Sequence, residues 1–253
     1  YGDIPSGHSV ETDPLAPRSP YAAAKASSEL LVRAYHITYG LDVVMTRGSN
    51  TYGPYQHPEK LIPLFTTNAL AGEPLPMYGD GMQVRDWLHV SDHAAGIEFV
   101  LRHGVSGEAY NVAGAKLLPN REVIGLLLEA ADRDWSLVRT VPDRPGHDRR
   151  YAMDGSKLAA LGWAPSVPFE DGLPATVAWY RDHPEWVASA RSGDWHSYYE
   201  RQYGARLAAG RSVELSAGTA WFRSLRPPGT DTLHRSTRCA IWSATYVNFA
   251  PAS

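Results

Sequence analysis

Tyr21 and Lys25 stand four residues apart, a spacing that sets both side chains on one face of an α-helix. A phenol is a poor base at neutral pH, with an ordinary pKa of about 10. A lysine ammonium one turn away stabilises its anion, and so does a place in the first helical turn, at the positive end of the dipole. A tyrosine held in this way can serve as a general base toward a hydroxyl. The same spacing also occurs on solvated helix faces that do no chemistry, so the surrounding elements have to decide between the two.

Those elements are legible. Ser19 is an N-cap residue, Pro20 suits the first helical position, and Ala22 to Ala26 with Leu30, Leu31 and Val32 carry a helix to a stop at Gly40. The β-branched run at 42–47 reads as a buried parallel strand, which makes a βαβ-type alternation. The polar, turn-prone run 49–55 follows at the strand's carboxyl end, where open α/β sheets place their ligands.

Further along, Leu61 to Ala71 reads as a helix closed by Gly72, and 74–78 as a short extended piece before Gly79-Asp80-Gly81. Segment 83–90 is extended, Ser91 caps a helix through Leu101, and 108–112 is a strand. Asn120 caps a helix to Ala131, and 137–141 is another strand. Helices are expected at 156–161, at 169–182 ending before Pro184, and at 195–203. After about Val213 neither a 3.6 nor a 2 period persists, and 213–253 is left without a fold.

The composition is that of a globular protein with a sizeable core: 253 residues, 43% hydrophobic and 20% charged. A net charge of −3 without a Lys/Arg-rich block excludes a nucleic-acid partner. No apolar run approaches the roughly 20 residues that span a bilayer. The single cysteine, Cys239, excludes an intramolecular disulfide and fits a reducing cytoplasm. His147 has no second His or Cys at ligand spacing, and His89 and His93 lack an accompanying HExxH pattern, so no metal is expected and these histidines are read as structural.

Tyr-x-x-x-Lys opening a helix, then a strand, then Ser49-Asn50-Thr51-Tyr52-Gly53-Pro54, resembles the extended short-chain dehydrogenase/reductases that act on nucleotide sugars. Three longer runs are more specific. Tyr52-Gly-Pro-Tyr-Gln-His-Pro-Glu-Lys-Leu-Ile-Pro63, Gln83-Val-Arg-Asp-Trp-Leu-His-Val90 and Asp143-Arg-Pro-Gly-His-Asp-Arg-Arg-Tyr-Ala152 resemble the dTDP-glucose 4,6-dehydratase family. The resemblance covers roughly residues 1–210.

It implies an α/β fold: the C-terminal part of an NAD(P)-binding, Rossmann-like doubly wound sheet plus a smaller α/β substrate-binding domain. Residues 1–53 would be the second half of the Rossmann domain and 54–212 mainly the sugar-nucleotide domain, with some segments returning to the Rossmann sheet. It also implies NAD as cofactor, a dTDP-sugar substrate and a homodimer.

Residue by residue, the resemblance makes Tyr21 the base at the sugar 4-hydroxyl, with Lys25 holding the cofactor ribose. Thr51 stands where the dehydratases usually carry an Asn that touches NAD. Substrate contacts are implied at Asn50, Lys60, Leu61, Pro76, Met77, Tyr78, Arg85, Asn120, and the loop Asp143, Arg144, Pro145, Gly146, His147. The chemistry is apt: Lys60, Arg85 and Arg144 can meet a diphosphate, Leu61 and Pro76 to Tyr78 can pack a base, and Asn50 and Asn120 can donate and accept. Taken singly, Lys60 and Arg85 also fit solvated charges, and Asn120 a plain helix cap.

No G-x-G-x-x-G occurs, and in the family the Thr-Asp-Glu run that supplies the acid and base comes just before a Val-Tyr-Gly that Tyr1-Gly2 continue. The chain is therefore expected to be an N-terminally truncated fragment without its first Rossmann half and with almost no activity of its own. The tail 213–253 is read either as a translated frameshift or read-through, or as an added interaction segment. Rival readings are a nucleotide-sugar 4-epimerase, a UDP-glucuronate decarboxylase, or a non-catalytic NAD- or nucleotide-binding protein.

Overall fold

The computed structural model describes residues 1–114 and 116–212, which fall within one compact unit of the chain. The expectations for 213–253 lie outside the described residues.

Helix α1 runs Pro20–Tyr39 as its caps require. Ser19 is extended and its Oγ accepts from the Ala22 N–H at 3.2 Å, while Gly40 closes the helix at φ 65, a left-handed conformation that favours glycine. The β-branched run after it forms strand β1 only over Met45–Gly48, later than the sequence suggests. Of β1 only Met45 is buried, which corrects the expectation of a fully buried strand: among the described residues its single partner is the later strand β5 (Ala109–Val112), in parallel register Met45 to Ala109.

The other elements follow in chain order: β2 Asn50–Tyr52, α2 Leu61–Ala71, β3 Leu75–Tyr78, β4 Val84–His89, α3 Val90–His103, then β5. After these come β6 Lys116–Pro119, α4 Asn120–Ala130, β7 Val138–Val141, α5 Ser156–Ala160, α6 Phe169–Asp182 and α7 Pro184–Ala190. Finally α8 Asp194–Tyr199 passes through a π-helical turn at Glu200–Gly204 into α9 Ala205–Ala208, before the short β8 Arg211–Ser212.

Parallel pairs dominate the sheets. β2 pairs with β4 and β3 with β7 in parallel, while β6 and β8 add antiparallel edges to β4 and β7. The main core lies where α2, α4 and α6 pack over these strands, with Ile62, Leu64, Leu75, Ile124, Leu127, Val138, Leu173 and Val177 almost fully buried. Each such side chain contributes about 1.5–3 kcal/mol of apolar transfer. A second cluster of Leu88, Val100, Tyr110, Val112 and Leu158 sits under α3 and α5.

Several local expectations are corrected. His89, not Ser91, caps α3: its Nδ1 accepts the Ser91 N–H at 3.3 Å, an imidazole doing what a hydroxyl was expected to do. Asn120 lies inside α4 rather than capping it, with Pro119 preceding and the Asn120 N–H donated to the Gln83 carbonyl at 2.9 Å. α6 does end before Pro184 as expected, and Pro184 then starts the next helix, since a ring without an N–H is tolerated at a first helical position. The expected 195–203 helix changes to π geometry at Glu200. No helix among the described residues is long and apolar enough to cross a membrane.

Candidate active site

Tyr21 opens α1 and is 68% exposed. Two ammoniums flank its ring: Lys25 Nζ lies 5.8 Å from the centroid and Lys60 Nζ 6.0 Å. Lys60 arrives from the residue before α2, paired with Glu59 at 3.1 Å. Sequence spacing supplies the first ammonium. The second is a tertiary addition, because the loop leading to α2 is fastened by the Tyr180 hydroxyl donating to the Gln56 carbonyl at 2.6 Å. A negative charge developing on the phenol would meet both cations.

Strand β2 supplies the next groups at the carboxyl ends of the parallel strands. Asn50 is half-buried and makes no side-chain hydrogen bond among the described residues. Thr51 Oγ1 donates to the Ser49 carbonyl at 3.2 Å and lies 2.7 Å from His93 Nδ1. Burial lowers the His93 pKa below 6.5 and favours the neutral ring; with the threonine hydrogen given to Ser49, the tautomer protonated at Nδ1 fits this contact. Behind this segment, Asp86 accepts from Ser49 Oγ at 2.5 Å and from the Gly114 N–H at 2.9 Å. Its carboxyl is pushed up by burial, against the pull of those hydrogen bonds. Asp86 was not singled out by sequence, although it lies inside the Gln83 to Val90 run.

The third group of residues forms around Arg85, which is 5% exposed. Its guanidinium donates to the Asp148 carbonyl at 2.8 Å and to His147 Nε2 at 3.0 Å, and lies 4.3 Å from the Tyr151 ring centroid. His147 Nδ1 in turn donates to Asp143 Oδ1 at 2.6 Å, and Gln83 Nε2 donates to Asp143 Oδ2 at 2.8 Å. An imidazole that accepts at Nε2 and donates at Nδ1 is the neutral tautomer. Burial lowers its pKa accordingly, with Asp143 opposing and Arg144 and Arg85 reinforcing the shift. Burial would raise the Asp143 pKa, but hydrogen bonds from His147, the Arg144 N–H and Gln83 bring it below the ordinary carboxylate value. The Tyr151 hydroxyl, bonded to Asp148, is pushed up to about 12, chiefly by burial and then by that carboxylate.

Tyr78 stands beside this group, 6.0 Å from His147 edge to face, with the Arg144 guanidinium 5.9 Å from its centroid. Of the three residues 76–78, Tyr78 is half-buried, while Pro76 and Met77 are buried, Met77 in the main core. Leu61 packs on the core from the start of α2, Pro145 and Gly146 form the exposed tip of the 143–147 loop, and Gly146 needs its φ of 67. Asn120 sits at the N-terminus of α4, 8% exposed, with its Oδ1 lacking a partner among the described residues.

Sequence reasoning missed Tyr198. This half-buried phenol feels the charges of Glu59, Lys60 and Arg144 together with Tyr78. Burial is the first cause of its raised pKa, with the two cations opposing. An aromatic within an amphipathic helix carries no signal of this in sequence.

A tyrosine–lysine helix beside parallel strand ends, with a second set of cations around a half-open aromatic ring, is the arrangement of an extended short-chain dehydrogenase/reductase. The chain belongs to the family described as GDP-mannose 4,6 dehydratase, whose model matches residues 1–176. A dTDP-glucose 4,6-dehydratase of Streptomyces griseus is 54% identical over 187 residues, covering 74% of this chain and 57% of that protein. That of Salmonella typhimurium is 46% identical over 224 residues, covering 81% and 62%.

Among solved structures, the dTDP-glucose 4,6-dehydratase of Streptomyces venezuelae with NAD bound superposes with a TM-score of 0.74 at 56% identity, covering 75% of this chain and 59% of that one. A Thermus thermophilus UDP-glucose 4-epimerase in complex with NAD gives 0.68 at 36% identity, covering 72% and 60%. The chain thus spans less than two thirds of the length of these relatives.

Proposed function

We propose that this chain contributes the tyrosine–lysine pair and the nucleotide-binding groups of an NAD-dependent dehydration of dTDP-glucose to the 4-keto-6-deoxy sugar in deoxysugar biosynthesis. The observation that carries this reading is Tyr21 held between the Lys25 and Lys60 ammoniums, with the Arg85–His147–Asp143 group and Tyr78 as the nucleotide end of the site. Tyr21 takes the proton of the sugar 4-hydroxyl, and the two ammoniums carry the resulting negative charge. Arg85, Arg144 and Lys60 meet the diphosphate, Tyr78 packs the base, and Asn50 and Asn120 address sugar and nucleoside oxygens. Oxidation at C4 acidifies the C5 proton, and water then leaves across C5 and C6.

NAD, where bound, supplies a transient hydride acceptor that is regenerated within the turnover. Exposed Tyr21 and Lys25 fit a cofactor ribose. Thr51 fits less well than an Asn would, because its hydroxyl is already shared between Ser49 and His93. The domain division at residue 53, a homodimer and a cytoplasmic location belong to the same reading; the exposed apolar side chains of α1, among them Leu30, Leu31, Tyr35 and Ile37, support an association surface there.

Calorimetric titration with dTDP-glucose tests the proposal. Saturable binding that Arg85→Met and Lys60→Met each weaken by about tenfold or more is the expected result. Absence of binding by the wild-type chain would overturn it, and a preference for UDP-glucose would move the reading to an epimerase.

A further inference from the structure

The hydroxyl of Tyr78 is held by two donors from one late segment of the chain. Gln202 Nε2 donates to it at 2.8 Å and Arg206 Nη1 at 3.0 Å, and Arg206 also donates to the Gln202 carbonyl at 3.0 Å, which locks the two donors together. The Arg206 guanidinium lies 5.5 Å from the Tyr78 ring centroid, opposite in chain origin to Arg144 at 5.9 Å. The backbone that delivers these donors is the π-helical turn Glu200–Gly204 and the start of α9. π turns re-aim side chains relative to an α-helix, at some cost in hydrogen-bond geometry. Gly204 lies against the Glu200 carboxylate, a flexible side-chain end, in an ordinary helical conformation. Tyr203, between the two donors, is buried in the main core and fixes the segment in place.

We propose that Gln202 and Arg206 are positioning residues for nucleotide-base specificity. They clamp the Tyr78 phenol by its oxygen, so that its ring presents one fixed face to the pyrimidine of a nucleoside diphosphate. A clamped ring can register a single base methyl, whereas a ring free to swing repacks around either pyrimidine. One methyl in an apolar pocket is worth about 10–200-fold. The inference rests on the nucleotide-sugar reading of the Tyr78 site.

The test compares binding of dTDP, UDP and inorganic pyrophosphate by calorimetry in the wild-type chain and in Arg206→Met, Gln202→Leu, Arg206→Lys and Tyr78→Phe. Tyr78→Phe keeps the ring and removes the clamped oxygen. Expected are an about tenfold loss of dTDP affinity in Arg206→Met, a several-fold drop in the dTDP-to-UDP ratio, and unchanged pyrophosphate binding, with Arg206→Lys recovering part of the ratio. Tyr78→Phe should reproduce the loss, and adding Arg206→Met to it should cost nothing further, as coupled partners do in a double-mutant cycle.

Equal losses for all three ligands would make the segment merely structural and overturn the inference, as would an unchanged ratio. Near-ultraviolet circular dichroism separates both from unfolding. If the wild-type chain bound neither nucleotide, the functional reading itself would fall; if it bound dTDP and the variants did not differ, only the clamp would.

Discussion

Glu29 and Arg47 are joined by two hydrogen bonds, Nε to Oε2 at 2.9 Å and Nη2 to Oε1 at 2.5 Å. Glu29 follows Tyr21 and Lys25 at the same four-residue interval, so one face of α1 carries the candidate base, its cation and this anchor. No residue of α1 is buried, which leaves polar fastening to strand β1 as the main tie among the described residues. Arg47 extends the tie through Tyr1 and the Glu11 carbonyl, and Tyr1 donates onward to Asn111 at 2.6 Å.

Glu29→Ala should therefore lower stability by about 2 kcal/mol, because it strands a half-buried guanidinium whose charged hydrogen bonds are individually strong. Urea denaturation measures it. Glu29→Asp, too short to keep both bonds, should fall between.

Asp86, inside β4, ties the segments that follow β1 and β5 by accepting from Ser49 and Gly114. Asp86→Ala leaves the part-buried Ser49 hydroxyl without its acceptor and the Gly114 N–H with only Ser49 Oγ, 3.0 Å away, and should cost about 1–3 kcal/mol in the same measurement. Asp86→Asn retains one acceptor oxygen and should cost less.

The fold should lose stability in mild acid. His147, His89 and His93 all have pKa values lowered by burial from the ordinary 6.5. The unfolded chain then binds more protons than the folded one once the pH falls below about 6.5, so the stabilisation is complete above that pH and declines as the pH drops toward the folded values. The urea midpoint should fall between about pH 7.5 and about pH 5.5, and His147→Gln should flatten part of that slope.

Tyr52 is 1% exposed, and its hydroxyl has no partner among the described residues. A Cβ at Gly172 on α6 would run into that hydroxyl. Gly172→Ala should destabilise by about 1–3 kcal/mol through overpacking, read as a lowered Tm. Combining it with Tyr52→Phe should restore most of the loss, because the phenyl ring leaves room for the methyl.

The candidate site was readable where chemistry is local. Tyr21 and Lys25 share a helix, and Ser19, Pro20 and Gly40 mark its ends in the sequence itself. Lys60 beside Tyr21, Tyr198 within the field of Lys60 and Arg144, and Gln202 with Arg206 on Tyr78 were not readable, since each joins residues separated by dozens of positions through packing that no period encodes. Strand β6 escaped notice for a related reason: Lys116 to Pro119 has no alternating pattern and is a strand because β4 offers it an edge.

By itself the sequence determined the α/β alternation, the ends of α1 and the residue types that can meet a sugar nucleotide, because caps, glycines and apolar periods act over a few residues. Tertiary structure alone decided the protonation of His147, the burial of Pro76 and Met77 and the clamp on Tyr78. Those depend on desolvation and on hydrogen-bond partners from distant elements, which come into being only when the chain has closed on itself.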